Sequence, residues 1–131
     1  MTTSEQEAGP RRAIIAGHAG FAEGAISAVA QIAGLGDSLV AVSNTGLTLE
    51  ALEGMLRARL RETGATIIFT DLPAGSCTLA ARRIARTDPN LTVITGVGLP
   101  TLLSWACGGD LKAATERGRE ALAQVEGPRD A

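Results

Sequence analysis

Four short apolar runs alternate with helical periodicities along this chain, and that alternation constrains its fold more than any other feature. The runs are Arg12–Ala16, Ser38–Ser43, Ala65–Thr70 and Leu91–Thr95, rich in β-branched residues. Turn-forming residues such as Gly17, Asn44, Gly64 and Gly96 bound them. A first helix is predicted from Phe21 to Ile32, with its buried stripe at Ile26, Val29, Ala30 and Ile32 or Ala33, and Gly34 stops it. Thr48 caps a second, from Leu49 to about Thr63, with Leu49, Leu52, Leu56 and Leu60 on one side. Its charged Glu50, Glu53, Arg57 and Arg61 fall on the other side, and Gly64 ends it. Ser76 is expected to cap a third helix that runs to about Arg86. Pro100 suits the first position of a fourth, which Gly108-Gly109 breaks, and Asp110 caps a fifth that extends to about Val125.

Strands alternating with helices of this length predict an α/β fold: a three-layer sandwich with a central, mainly parallel sheet of about four strands. Pattern alone does not order the strands, and the flavodoxin-like order 2-1-3-4 is the usual solution at this size. With 131 residues the chain is expected to form one domain over residues 12–126, with a disordered tail at 1–11 and a short one at 127–131. Aromatic residues make up only 2%, so the core must be aliphatic and alanine-rich. Net charge is −2 and no basic block exceeds a dipeptide, which argues against nucleic-acid binding. No apolar run approaches a membrane span, and the polar, acidic start does not read as a signal peptide. No membrane insertion and a cytoplasmic location are therefore expected. Cys77 and Cys107 do not form a metal-type pair and are expected to be free thiols.

His18, the only histidine, sits where the first strand turns into the first helix. Ligands bind at this carboxyl edge in open parallel sheets. If strands one, three and four are neighbours, three loops meet there: Gly17-His18-Ala19-Gly20, Asp71-Leu72-Pro73-Ala74-Gly75-Ser76 and Gly96-Val97-Gly98-Leu99-Pro100. A neutral imidazole nitrogen can attack phosphorus when an acceptor holds the other ring nitrogen, and Asp71 is the candidate acceptor. Backbone N–H groups at the helix starts near Gly20 and Ser76 would receive phosphoryl oxygens. Such a transfer between histidines requires no metal and no cofactor. The plain alternative is a turn histidine bonded to a backbone carbonyl, with Asp71 as a loop residue.

Other chemistries fit less well. A response-regulator phosphoaspartate at Asp71 needs an acidic pair after the first strand to hold magnesium, and Gly17 and His18 stand there. A cysteine hydrolase built from Cys77, His18 and Asp71 is a second enzyme class, weighed against a small buried or half-buried thiol. The glycines at 17, 20 and 24 do not make a dinucleotide fingerprint, and no Walker lysine exists because Lys112 is the only lysine. Arg82, Arg83 and Arg86 read as a solvated face or a docking surface for an acidic partner. Trp105 and Cys107 read as packing or dimer contacts.

The stretches A-G-H-A-G-F-A-E-G, F-T-D-L-P-A-G-S-C-T-L-A-A-R-R and I-T-G-V-G-L-P-T-L-L resemble the enzyme IIA domain of the mannose-type sugar phosphotransferase systems (PTS) of bacteria. In that family the first strand ends in G-H-G or T-H-G, V-D-x-x-G-G-S-P follows the third strand, and G-V-N-x-P follows the fourth. The resemblance covers Ala13 to Leu122. It implies that His18 accepts a phosphoryl group from the carrier HPr and passes it to a IIB component. It further implies that Asp71 hydrogen-bonds the histidine, that Ser76 lies near the phosphate, and that the domain forms a homodimer. The amides of Gly20 and Gly75 would help hold the phosphoryl group. Ala74, Cys77 and Gly98 depart from the family's glycine, proline and asparagine. Two alternatives remain open: a phosphotransfer subunit feeding a dihydroxyacetone kinase, and a regulatory protein without a dedicated sugar transporter.

Overall fold

The apolar runs become strands whose ends are set by how many ladder partners each one finds. The computed structural model describes residues 11–129 and comprises β1 Ala13–Gly17, α1 Phe21–Ala33, β2 Leu39–Ser43, α2 Leu49–Thr63, β3 Ile67–Thr70, α3 Ser76–Ala85, β4 Thr92–Ile94, α4 Leu99–Ala106 and α5 Leu111–Ala121. A 3₁₀ turn at Gly36–Ser38 takes Ser38 out of β2. The edge strand β4 keeps only three residues, because Thr92, Val93 and Ile94 alone pair with β3. All pairings are parallel and the order is β2-β1-β3-β4, as expected.

Every residue of β1 is buried, since the strand has neighbours on both edges and helices on both faces. Ala13 and Ile15 face a layer formed by Ala22 and Val29 of α1, Leu102 and Trp105 of α4, and Ala114 of α5. Ile14 and Ala16 face Leu52 and Leu56 of α2 and Cys77, Ala80, Ala81 and Ile84 of α3. Full burial of one such isoleucine contributes about 1.5–3 kcal/mol. Trp105 meets Phe69 edge-on, with ring centroids 5.8 Å apart, so it serves core packing and not a dimer contact. Cys107 is exposed, at the end of α4.

Several expectations need correction. The inward face of α1 is Ala22, Ala25, Ile26 and Val29, whereas Ala30 is exposed and Ile32 is 61% exposed. The helix carries more apolar residues than the sheet and α4 can cover, so the stripe is narrower than its composition suggests. Helix α5 ends at Ala121 and not near Val125, and Leu122 and Val125 beyond it are 88% and 90% exposed. Arg11, the first described residue, sets its guanidinium 4.3 Å from the Trp105 ring centroid and donates to the carbonyls of Trp105 and Gly109. The remainder of the expected tail, residues 1–10, lies outside the described residues. Pro100 is the second residue of α4, one place later than expected, behind Gly98 as cap. Thr48 and Asp110 cap α2 and α5 as expected, accepting from Ala51 N and Ala113 N, and Gly34 and Gly64 end α1 and α2 in the left-handed conformation.

Close packing of α4 on α5 depends on Gly118, where an added Cβ would lie 2.0 Å from the buried Thr101 Oγ1. At Gly54, in α2, an added Cβ would meet nothing within 4 Å. Chemical denaturation should therefore separate the two substitutions. Gly118→Ala is expected to destabilise by about 1–3 kcal/mol through overpacking. Gly54→Ala is expected to stabilise by up to about 1 kcal/mol through helix propensity. Equal effects at both positions would contradict this packing.

Candidate active site

The strand register assembles the site. Gly17 pairs with Ser43 and Ala16 with Thr70, so the residues that follow, His18, Asn44 and Asp71, emerge together at the carboxyl edge of the sheet. Asp71 Oδ2 accepts from the His18 backbone N–H at 2.8 Å and lies 2.7 Å from ring Nδ1. The same oxygen thus fixes both the main chain and the ring of His18. Gly17 permits this approach, because a Cβ there would sit 2.7 Å from Phe21 Cδ2 and 3.3 Å from Asp71 Oδ2. The His18 side chain is 47% exposed, whereas that of Asp71 is only 9% exposed.

Burial pushes the Asp71 carboxyl up, but the His18 backbone N–H, the ring hydrogen bond and the ring's charge outweigh it and hold the group below its ordinary 3.8. Asp71 is therefore ionised near neutral pH, and Nδ1 is the donor toward it. Its contribution to stability is present above the unfolded value and disappears as pH falls through the lower folded value. Asp71 Oδ1 is buried without a hydrogen-bond partner among the described residues.

Ser76 sits beside the histidine loop but does not cap α3 with its hydroxyl. The cap is Gly75, with φ 116° and ψ 177°, a conformation open to glycine alone. A Cβ on Gly75 would also approach His18 Cε1 to 3.4 Å. Ser76 is the first helical residue, and its Oγ accepts from Asn44 Nδ2 at 2.9 Å. Gly20 caps α1 two residues after His18, where the first-turn N–H groups of the helix have no intrahelical acceptor. Ala74 keeps a negative φ, since Ala19 is the only described non-glycine residue with a positive one, so alanine introduces no backbone strain there. The third loop touches the second, with Gly96 beside Pro73, and the structure brings it to the Asp71 loop more than to the histidine.

Sequence reasoning missed a supporting layer. Ser43 Oγ donates to Ala19 O at 2.9 Å and steadies the left-handed Ala19, φ 49°, next to His18. Buried Thr78 donates to Leu72 O at 2.6 Å and lies 2.7 Å from Thr70 Oγ1, which ties the Asp71 loop to α3. The available signal was positional: small polar residues stand one or two places past a strand end or one turn into a helix. Arg83 lies 3.9 Å from Glu53, which also pairs with Arg57, whereas Arg82 and Arg86 are exposed.

Cys77 is fully buried, and its thiol is pushed up to about 11 by burial first and then by the Asp71 charge, with a hydrogen bond from Ser76 opposing. The helix start does not activate it, and a protonated thiol argues against the cysteine-hydrolase reading. An unfolded thiol loses its proton near 9.0 while the folded one keeps it to about 11, so stability must fall as pH rises between these values. The expected loss is roughly 2–3 kcal/mol. With no tyrosine and a single lysine, few other groups titrate in this window. Denaturation of the wild type should show the decline and Cys77→Ala should lack it; parallel declines would contradict the assignment.

Fold and site together define a flavodoxin-like α/β domain that carries a carboxylate-oriented histidine at the carboxyl edge of its sheet. The family model for the PTS fructose IIA component matches residues 12–122. The chain therefore belongs to the fructose/mannose IIA family of the phosphotransferase system, and the family implies a phosphotransfer component. Among solved structures, a mannose/sorbose-specific IIA subunit from Enterococcus faecalis superposes with TM-score 0.78 at 22% identity, covering 94% of this chain and 100% of that one. A PTS IIA protein associated with the fucose utilization operon of Streptococcus pneumoniae gives TM-score 0.78 at 20% identity, covering 88% and 93%. A sigma-54 interaction domain protein from Enterococcus faecalis gives TM-score 0.62 at 13% identity, covering 86% and 90%. At these identities the likeness concerns the fold. No curated protein matches significantly. No helix among the described residues is long and apolar enough to cross a membrane.

Proposed function

We propose that this chain is a phosphocarrier whose His18 Nε2 takes a phosphoryl group from phospho-HPr and delivers it to a IIB component. The observation that carries the reading is the 2.7 Å contact of Nδ1 with a buried, ionised Asp71, which leaves Nε2 with the free lone pair on a half-exposed ring. The Nε2 lone pair attacks phosphorus, the donor's P–N bond breaks, and that electron pair returns to the donor ring. His18 keeps its Nδ1 proton and becomes positively charged, and Asp71 stabilises the charge. Ser76 and the backbone amides of Gly20 and Gly75 receive the phosphoryl oxygens. Because Asn44 donates to Ser76 Oγ, the Ser76 proton is free to point toward the phosphate. Transfer to IIB is the reverse step with a new acceptor. HPr, IIB and a second copy of this chain are the expected partners, in the cytoplasm.

A regulatory role is the second reading, favoured by the shared fold of the sigma-54 interaction domain protein and by the departures at Ala74, Cys77 and Gly98. Both readings require phosphorylation of His18. Intact-mass spectrometry at mildly alkaline pH, after incubation with enzyme I, HPr and phosphoenolpyruvate, should show one added phosphate. His18→Ala should abolish it, and Asp71→Ala should slow its appearance by about 10²-fold or more. No phosphate on the wild type beside phosphorylated HPr would overturn the proposal.

A further inference from the structure

One donor atom from each of His18, Asp71 and Cys77 lies within 4.8 Å of the others, a nitrogen, oxygen and sulfur set that phosphotransfer does not use in full. The Asp71 side chain is nine-tenths buried, and its Oδ1 has no hydrogen-bond partner among the described residues while Oδ2 serves both His18 contacts. A buried carboxylate oxygen left unpartnered is costly unless something positive reaches it. We infer that His18, Asp71 and Cys77 form a binding site for a zinc-type divalent cation, and that this cation and the phosphoryl group exclude each other at His18.

The chemistry of the set selects the metal. Imidazole and thiolate donors suit zinc and its neighbours, whereas magnesium and calcium prefer oxygen alone. A thiolate and a carboxylate together balance a divalent charge, and three protein ligands leave a fourth position for water. Bonds of about 2.0–2.3 Å place tetrahedral donors about 3.3–3.8 Å apart. The set must therefore contract by about 1 Å at its widest, a movement available to the half-exposed His18 ring. On binding, the Cys77 S–H bond breaks, its electron pair goes to the metal, and the proton leaves to solvent.

Exclusion follows from the ring. Coordination through Nε2 takes the lone pair that would attack phosphorus. Coordination through Nδ1 leaves the single ring proton on Nε2, and that nitrogen cannot attack phosphorus until the proton is lost. This exclusion rests on the phosphocarrier reading, whereas the binding itself does not.

The probe is Co²⁺ alone, titrated into the full chain carrying Cys107→Ser, so that the exposed thiol cannot contribute. One Co²⁺ per chain should bind with a thiolate-to-cobalt charge-transfer absorption, and Zn²⁺ should displace it. Adding Cys77→Ala should abolish the absorption, and His18→Ala, at a half-exposed position, should weaken binding roughly tenfold or more. A band that is absent, or that persists unchanged in either variant whose thermal melting shows it folded, would overturn the site. Phosphorylated chain should bind no Co²⁺; equal binding would overturn the exclusion. Cobalt binding by a chain that HPr cannot phosphorylate would support the site and overturn the phosphocarrier reading.

Discussion

A single carboxylate oxygen governs the functional end of this fold. Asp71 Oδ2 accepts from the main chain and contacts the ring of the same residue, at 2.8 and 2.7 Å, so it sets the path of the loop and the orientation of the imidazole. That geometry exists because β1 and β3 are adjacent and in register, Ala16 beside Thr70, with glycine at 17 where an added Cβ would press on the Phe21 ring at 2.7 Å and come within 3.3 Å of the carboxylate. The hydrogen bond is thus a product of sheet topology. Residues 53 apart in sequence meet because two parallel strands end level with each other.

Around this contact the chain builds rigidity from small polar side chains. Ser43 holds Ala19 in the loop after β1, while Thr78 and Asn44 hold Leu72 and Ser76 at the two ends of the loop after β3. Preorganised donors of this kind matter most where charge develops during reaction, since they need not rearrange at that moment. The ring itself stays half exposed, which suits a phosphoryl group delivered by another protein more than a small molecule enclosed in a cavity.

Much of this was legible in the sequence, for identifiable reasons. The β-branched runs ending at Ala16, Ser43 and Thr70 carry strong strand signals, and a lone histidine between two glycines points to a strand-to-helix turn. Thr48, Asp110, Gly34 and Gly64 act at helix ends as their chemistry dictates. Where the reading failed, the cause is tertiary. Ala30 and Ile32 are apolar but face outward, because coverage depends on neighbouring elements and not on α1 itself. Leu122 and Val125 continue an apolar pattern past the helix end, where both stay exposed. Ser76 is a good capping residue by type, yet Gly75 takes the cap and Asn44 takes the hydroxyl. Nothing local in Asn44 announces a partner 32 residues away.

Because His18 is the only histidine, its ring gives one isolated pair of imidazole signals in nitrogen-15 NMR, and that spectrum tests the account most directly. At mildly alkaline pH the unphosphorylated chain should show a protonated Nδ1 and an unprotonated Nε2, and phosphorylation should shift Nε2. A proton on Nε2, with Nδ1 bare beside Asp71, would contradict the orientation on which the phosphotransfer chemistry depends.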